Sequence, residues 1–235
     1  MTKHDNGETC LVTEAPRGHD IGSEASRIIT GGPGGEGERV EAGVADGLDR
    51  ERAALFALLG RLLSEAPDAA LLARLRRLDG DGRTPLGKAL SGLAAAAGAT
   101  DAEAAEREHF RLFIGVGRGE LMPYASWYLT GFLHDRPLAE LRAALRRLGV
   151  ERAPGVSEPE DHVAFACDAM AGLLDGRFPG GPDAAPYFFA RHLRPWAARF
   201  FADLEKAEAA RFYRAVGTLG RVAIEIEGAA ADLPA

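Results

Sequence analysis

Apolar residues recur at three- and four-residue spacing through most of the chain, from Asp49 onward. The first run consists of five leucines, Leu55, Leu58, Leu59, Leu62 and Leu63. This spacing is typical of helices that bury one face. No segment alternates apolar and polar residues with the period of two that a half-buried strand requires. The pattern therefore predicts an all-α fold, a single helical bundle domain of about nine helices.

Helix boundaries follow from capping residues and prolines. Asp49 is expected to cap the first helix and Asp101 the fourth, since short acidic side chains accept hydrogen bonds from free N–H groups at helix starts. A long helix from about Ala184 to Ala207 is expected to bend near Pro195, because proline removes a helical hydrogen bond.

The first 47 residues have a different composition. They hold 10 of the 29 glycines and an excess of acidic residues, without a helical apolar repeat. Such composition is typical of disorder. We therefore expect a disordered, Gly-rich acidic extension over residues 1–47 and a helical domain over residues 48–235, with a hinge near 149–157.

A short polar segment precedes the most apolar helix of the chain, which starts near Val163. Ser157 and Glu160 have the S-x-x-E spacing of a capping box, and Pro159 suits a first helical turn. Capping leaves Asp161 and His162 unexplained. Three interpretations of this pair stay open: a structural role at the helix start, a binding role, and a general base oriented by the carboxylate.

Four motifs together resemble the TorD/DmsD/NarJ family of redox-enzyme maturation proteins. Glu158-Pro159-Glu160-Asp161-His162 resembles the family's Glu-Pro-x-Asp-His, with Met170 eight residues after the histidine. The other three are Glu108 to Gly115 (E-x-x-x-L-F-x-G), Pro123 to Tyr128 (P-x-x-S-x-Y) and His192 to Phe200 (H-L-x-P-W-x-x-x-F). They occur in the family's order. One departure is Ala166, where the family often has glutamate, so no role of that glutamate transfers.

The resemblance implies a function and a site. Members of the family are cytoplasmic, all-helical chaperones dedicated to molybdenum-cofactor enzymes, and they are not enzymes themselves. The motif Asp and His are implicated there in leader-peptide binding, which transfers to Asp161 and His162. The aromatic segment is also thought to line the groove in this family, so the resemblance implies the following client-binding residues: Glu158, Pro159, Glu160, Asp161, His162, Tyr124, Ser126, Trp127 and Tyr128.

The expected partner is the catalytic subunit of a molybdenum-cofactor oxidoreductase, together with its twin-arginine leader. Such a leader joins two arginines to an apolar stretch, so its binding requires an apolar groove with carboxylates at one end. The segments 127–132 and 217–221 most resemble the branch that serves formate dehydrogenases. Dimethyl-sulfoxide, trimethylamine-oxide and nitrate reductases stay open as clients.

The composition of the chain limits its possible partners and cellular location. The net charge of −7 argues against nucleic-acid binding. With only two cysteines, Cys10 and Cys167, the sequence has no disulfide framework, which suits a cytoplasmic protein. No apolar run is long enough to span a membrane, and no export signal is evident. We expect no nucleic-acid partner and no membrane insertion; a monomer and a homodimer are both compatible.

The alternative function is a helical metal- or nucleotide-dependent enzyme. Glu106 and His109 have the Glu-x-x-His spacing of di-iron ligands. Asp161 and His162 could act as a general base in which the carboxylate orients the imidazole. The sequence contains no second Glu-x-x-His and no phosphate-binding loop. We therefore predict no catalytic residue, no metal site and no cofactor.

Overall fold

The structure is a computed structural model that describes residues 12–14, 36–152 and 158–232. Within these ranges it contains ten α-helices, α1 (Glu36–Ser64), α2 (Ala69–Leu75), α3 (Pro85–Gly98), α4 (Ala102–His109), α5 (Ala125–Thr130), α6 (Arg136–Arg147), α7 (Val163–Leu174), α8 (Ala184–Phe188), α9 (Ala197–Lys206) and α10 (Phe212–Ala231). Two π-helical segments, Phe110–Ile114 and Phe189–Leu193, follow α4 and α8 directly. The all-α class is confirmed, with one helix more than expected.

Two short strands correct the prediction that the chain has none. β1 (Val12–Glu14) pairs antiparallel with β2 (Val150–Arg152). Three residues are too few to show an alternating pattern, which is why the sequence does not reveal them. The expected hinge therefore contains β2, while its remaining residues 153–157, including Ser157, lie outside the described residues.

The first helix begins earlier than predicted. α1 starts at Glu36, so Asp49 lies inside the helix, where it pairs with Arg52. Once a helix is nucleated, each added residue costs little, so α1 extends through glycines that on composition alone indicate a tail. Residues 1–11 and 15–35 of the predicted disordered extension lie outside the described residues.

Other helix starts agree with their capping residues. The Asp101 carboxylate accepts a hydrogen bond from the Ala104 N–H at 2.8 Å, as predicted for α4. Asp68 caps α2 in the same way. The predicted long helix from Ala184 is α8, a π-helical segment and α9, with the break at Pro195; the expected bend is thus a full interruption.

Helix α7 lies at the centre of the bundle, packed along α1. All residues from Asp161 to Cys167 are buried, and Cys167 has no exposed surface. Gly60 of α1 allows the two helices to pack this closely, because a Cβ atom at that position would crowd the Ala164 carbonyl oxygen at 3.1 Å. Elsewhere in the bundle, α10 packs against α9 and α3. The polar segment before α7 is thereby fixed at the edge of a tightly packed core.

Candidate functional site

The start of α5 and the start of α7 are joined by backbone hydrogen bonds. The Ala125 N–H donates to the Asp161 carbonyl at 2.9 Å, and the Val163 N–H donates to the Pro123 carbonyl at 2.8 Å. Tyr124 and His162 form the bridge between them. The structure thus brings together two of the sequence-predicted segments, 123–128 and 158–162.

Asp161 is buried and serves as a cap for α5. Its Oδ2 atom accepts hydrogen bonds from the Ser126 N–H at 2.9 Å and from the Ser126 hydroxyl at 2.5 Å. Only 1% of Asp161 is exposed, and its Oδ1 atom has no hydrogen-bond partner among the described residues. The carboxylate therefore holds two chain segments together from inside and is not presented to solvent.

His162 caps α7. Its Nδ1 atom accepts a hydrogen bond from the Ala164 N–H at 3.1 Å. Burial lowers the pKa of His162 to about 4, so the ring is neutral at pH 7 and carries its proton on Nε2. His162 is the cap of α7 that the structure describes, whereas Ser157 of the predicted capping box lies outside the described residues.

Glu160 and Pro159 have other partners. Glu160 accepts a hydrogen bond from Arg142 Nε at 2.8 Å, which connects the motif to α6. The Pro159 carbonyl accepts a hydrogen bond from the His162 N–H at 3.0 Å and closes a turn. Both residues therefore shape the segment before α7.

Glu158 and Tyr124 form the solvent-facing part of the motif. Glu158 is exposed, and the Tyr124 hydroxyl donates a hydrogen bond to its Oε2 atom at 2.5 Å. Burial and the Glu158 carboxylate raise the pKa of Tyr124, so the hydroxyl stays protonated. Among the motif residues 158–162, Glu158 offers a charge to an incoming ligand most directly.

Trp127 and Tyr128 point to different surroundings. Tyr128 is largely buried, and its hydroxyl donates to Asp203 Oδ2 at 3.0 Å, which connects α5 to α9. Trp127 is half-buried, with the Arg118 guanidinium 5.5 Å from its ring centroid. Tyr128 thus belongs to the core, and Trp127 lies at its edge.

An open groove of about 860 Å³ runs between the end of α1 and the α4–π segment. A smaller cavity of about 120 Å³ adjoins it and is lined by Leu63, Ser64, His109, Phe113, Ile114, Tyr124, Glu158, His162 and Phe165. Two large apolar residues of the groove, Phe110 and Ile114, are 42% and 56% exposed. The motif segment before α7 therefore lies beside an apolar groove that is open to solvent.

Glu108, which the sequence analysis used only as a motif position, is a second buried cap. Its carboxylate accepts hydrogen bonds from the N–H groups of Arg211, Phe212 and Tyr213 at 2.7 to 3.1 Å. It therefore replaces a local cap at the start of α10. A buried acidic residue far from α10 in the sequence gives no local signal of this role.

Two absences apply to the described residues only. Within the described ranges, no three His, Cys, Asp or Glu side chains are grouped so as to hold a metal ion. Among those same residues, no helix combines the length and apolar character needed to cross a membrane. The Glu106–His109 pair therefore has no further ligand nearby in the part of the chain that the structure describes.

The geometry defines the class: an all-helical bundle with an open apolar groove beside a small cavity that apolar and polar side chains line together. The family model described as nitrate reductase delta subunit matches residues 79–202, more than half of the chain and all four motifs. The chain belongs to this family, which confirms the resemblance deduced from the motifs.

Individual relatives match shorter stretches. A protein of Vibrio cholerae serotype O1 named chaperone protein TorD is 28% identical over 123 residues, 48% of this chain and 56% of that protein. A TorD of Vibrio vulnificus is 35% identical over 65 residues, 27% of this chain and 30% of its own length. The chain thus spans about half, or less, of the curated relatives it matches.

One solved structure is also similar. It comes from Archaeoglobus fulgidus and is described as that of a "putative redox enzyme maturation protein". It is 19% identical, with a TM-score of 0.49, covering 74% of this chain and 92% of that one.

Proposed function

We propose that this protein is a redox-enzyme maturation chaperone. It binds the catalytic subunit of a molybdenum-cofactor oxidoreductase in the cytoplasm before the cofactor is inserted, and it performs no catalysis itself. The observation that carries the proposal is the apolar groove beside the Glu158–Tyr124 pair. The names of the TorD relatives support it.

The groove has the chemistry that an apolar client segment requires. Phe110 and Ile114 leave large apolar surfaces in contact with water, and covering such surfaces is favourable. Glu158 at the adjoining cavity is placed for a cation that flanks the apolar segment. This combination suits a twin-arginine leader. Because the segments 127–132 and 217–221 resemble the branch of the family that serves formate dehydrogenases, we propose a formate dehydrogenase as the client.

The buried positions of Asp161 and His162 assign them an indirect role in binding. Asp161 fixes Ser126 at the start of α5, and His162 fixes the start of α7. The two residues thereby set the positions of Tyr124 and Glu158. We propose that Asp161, His162, Ser126, Glu160 and Pro159 shape the site, while Glu158, Tyr124 and Trp127 contact the client.

Affinity capture from the native host, followed by mass spectrometry, tests this function. The wild type is compared with Phe110→Asp, which places a charge in the groove, and with Phe132→Asp as the matched control. Phe132 is 71% exposed and does not line the groove. We expect one molybdenum-enzyme catalytic subunit with the wild type and the control, and its loss with Phe110→Asp.

Two results would contradict the proposal. The absence of any such subunit from the wild-type capture would remove the chaperone function. Stoichiometric iron, manganese or zinc in the purified protein would favour the enzyme alternative based on Glu106 and His109. Capturing the same subunit with and without its leader then shows which part of the client is bound.

A further inference from the structure

The π-helical segment Phe110–Ile114, which forms one wall of the groove, is part of a closed loop. Beyond this segment the chain turns back, and the N–H groups of residues 120 and 121 donate hydrogen bonds to the carbonyls of residues 111 and 112 at 3.0 and 2.8 Å. Gly115 makes the turn possible: its φ is +64°, and a Cβ atom there would lie 2.0 Å from the Arg118 carbonyl oxygen. Residues 110–121 therefore form one hydrogen-bonded unit, the 110–121 loop.

The loop joins a core contact to an exposed apolar surface. The Phe113 ring packs against Tyr213 of α10, with their centroids 5.4 Å apart. Three other apolar residues are open to solvent: Phe110 is 42% exposed, Ile114 56% and Val116 97%. Phe110 and Ile114 line the groove, and Val116 lies only two residues further along the chain. Exposed apolar surface of this kind is typical of binding sites.

Two carboxylates fasten this part of the chain to the segment around the start of α10. Glu108, just before the loop, accepts the three hydrogen bonds from the start of α10 described above. Near the other end, the Glu120 carboxylate accepts hydrogen bonds from the N–H groups of Glu208 at 2.5 Å and Ala209 at 3.0 Å. Glu108 is buried, whereas Glu120 is exposed. Loss of the Glu120 carboxylate should therefore loosen the loop without unfolding the bundle.

We infer that the 110–121 loop is a preformed binding surface for an apolar stretch of the client. Val116 contacts this stretch beyond the groove, and Glu120 is a positioning residue for the surface. Because the loop is anchored at both ends, little conformational entropy is lost when the client binds. Without the two charge-assisted hydrogen bonds of Glu120, ordering the loop would offset part of the binding free energy. This inference rests on the proposed function, because it adds a contact and a positioning residue to the client groove.

Protein-detected NMR with an uncharged peptide tests the surface. The peptide acetyl-Ser-Leu-Leu-Ala-Leu-Leu-Ser-amide is titrated into the full-length protein, and the amide signals of residues 110–121 are followed. We expect saturable shifts in this loop, and Val116→Asp should weaken peptide binding about fivefold or more, because it replaces an apolar contact by a charge. Phe132→Asp makes the same change at an exposed position outside the groove and should keep the affinity within about twofold of the wild type.

Three substitutions isolate the role of Glu120. Glu120→Ala should weaken peptide binding about fivefold or more and make amide exchange at residues 208 and 209 about tenfold faster or more. Glu120→Gln keeps an acceptor oxygen and should restore binding to within about twofold of the wild type. Glu208→Ala removes an exposed carboxylate from the same turn but keeps its N–H group, so affinity and exchange should stay near their wild-type values. Urea denaturation verifies that the variants remain folded.

Peptide binding that is unchanged in Val116→Asp or in Glu120→Ala overturns the inference, as does weakened binding that Glu120→Gln fails to restore. A Glu120→Ala protein that does not fold would make Glu120 a structural residue and overturn its positioning role, and Val116→Asp would still test the surface.

The capture experiment separates these failures from failure of the proposed function. If the wild type captures a molybdenum-enzyme subunit but the peptide does not bind to the loop, the inference alone is overturned. If the peptide binds as expected but no such subunit is captured, the proposed function alone is overturned, and the loop stands as a surface for apolar segments.

Discussion

Asp161 and Ser126 are 35 residues apart in the chain and share two hydrogen bonds through a single carboxylate oxygen. The pair connects the turn before α7 to the first turn of α5. Because Asp161 is buried, its contribution is to position these segments. Loss of client binding on mutating this aspartate would therefore not show direct contact with the client.

Replacing Asp161 should destabilise the fold. Asp161→Ala removes two charge-assisted hydrogen bonds and leaves the buried Ser126 hydroxyl without its partner, so we expect a loss of about 2–3 kcal/mol in the free energy of unfolding. Urea denaturation measures it. Asp232→Ala is the control, since its pairing with Arg194 is exposed and should cost less than about 1 kcal/mol. Equal effects of the two substitutions would contradict the positioning role.

Glu108 provides a second stability test with a neighbouring control. Glu108→Ala leaves three N–H groups at the start of α10 without their acceptor, two of them buried, so we expect a loss of about 3 kcal/mol. Glu106→Ala, two residues earlier and exposed, should change stability by about 0.5 kcal/mol or less. Chemical denaturation compares the two. A small effect of Glu108→Ala would mean that α10 does not depend on this cap.

Stability should fall in mild acid because of His162. Its folded-state pKa of about 4 lies below the ordinary histidine value of 6.5. The unfolded chain therefore takes up the proton first as pH falls. With respect to this histidine, the free energy of unfolding is therefore at its full value above about pH 6.5. It falls as pH drops toward 4, by up to about 1.4 kcal/mol per pH unit.

The comparison with His162→Asn isolates this titration, because asparagine caps helices but does not titrate. Denaturation of both proteins between pH 4 and 7 gives the two slopes. The wild type should show the steeper loss of stability on acidification. Parallel slopes would show that His162 is not held neutral by the fold, and NMR titration of its ring gives the pKa independently.

Two glycines should respond oppositely to alanine. A Cβ at Gly220 in α10 would overlap the ring of Phe201, so Gly220→Ala should destabilise by about 2 kcal/mol despite the better helix propensity of alanine. Gly92 in α3 is exposed, with open space around its Cβ position, so Gly92→Ala should stabilise by about 0.5–1 kcal/mol. Melting temperatures decide it; a stabilised Gly220→Ala would show that α9 and α10 are less closely packed.

Local signals in the sequence predict the helical class, the Asp101 cap and a bend near Pro195, which is a full break in the structure, because apolar spacing, prolines and capping residues act over one or two turns. Long-range partners escape this approach. Glu108 caps α10 from about a hundred residues away, and Asp161 caps α5 from a later position in the chain. For the same reason the motif residues can be named from the sequence, whereas their division into buried caps and exposed contacts cannot.

The burial of Cys167 makes it a natural reporter of core opening. The thiol has no exposed surface, and burial raises its pKa, so it reacts with an alkylating reagent only after α7 separates from its neighbours. The rate of its modification therefore measures how often the bundle opens. Following that rate at Cys167 with and without a bound client would show whether binding keeps the helices closed or draws them apart.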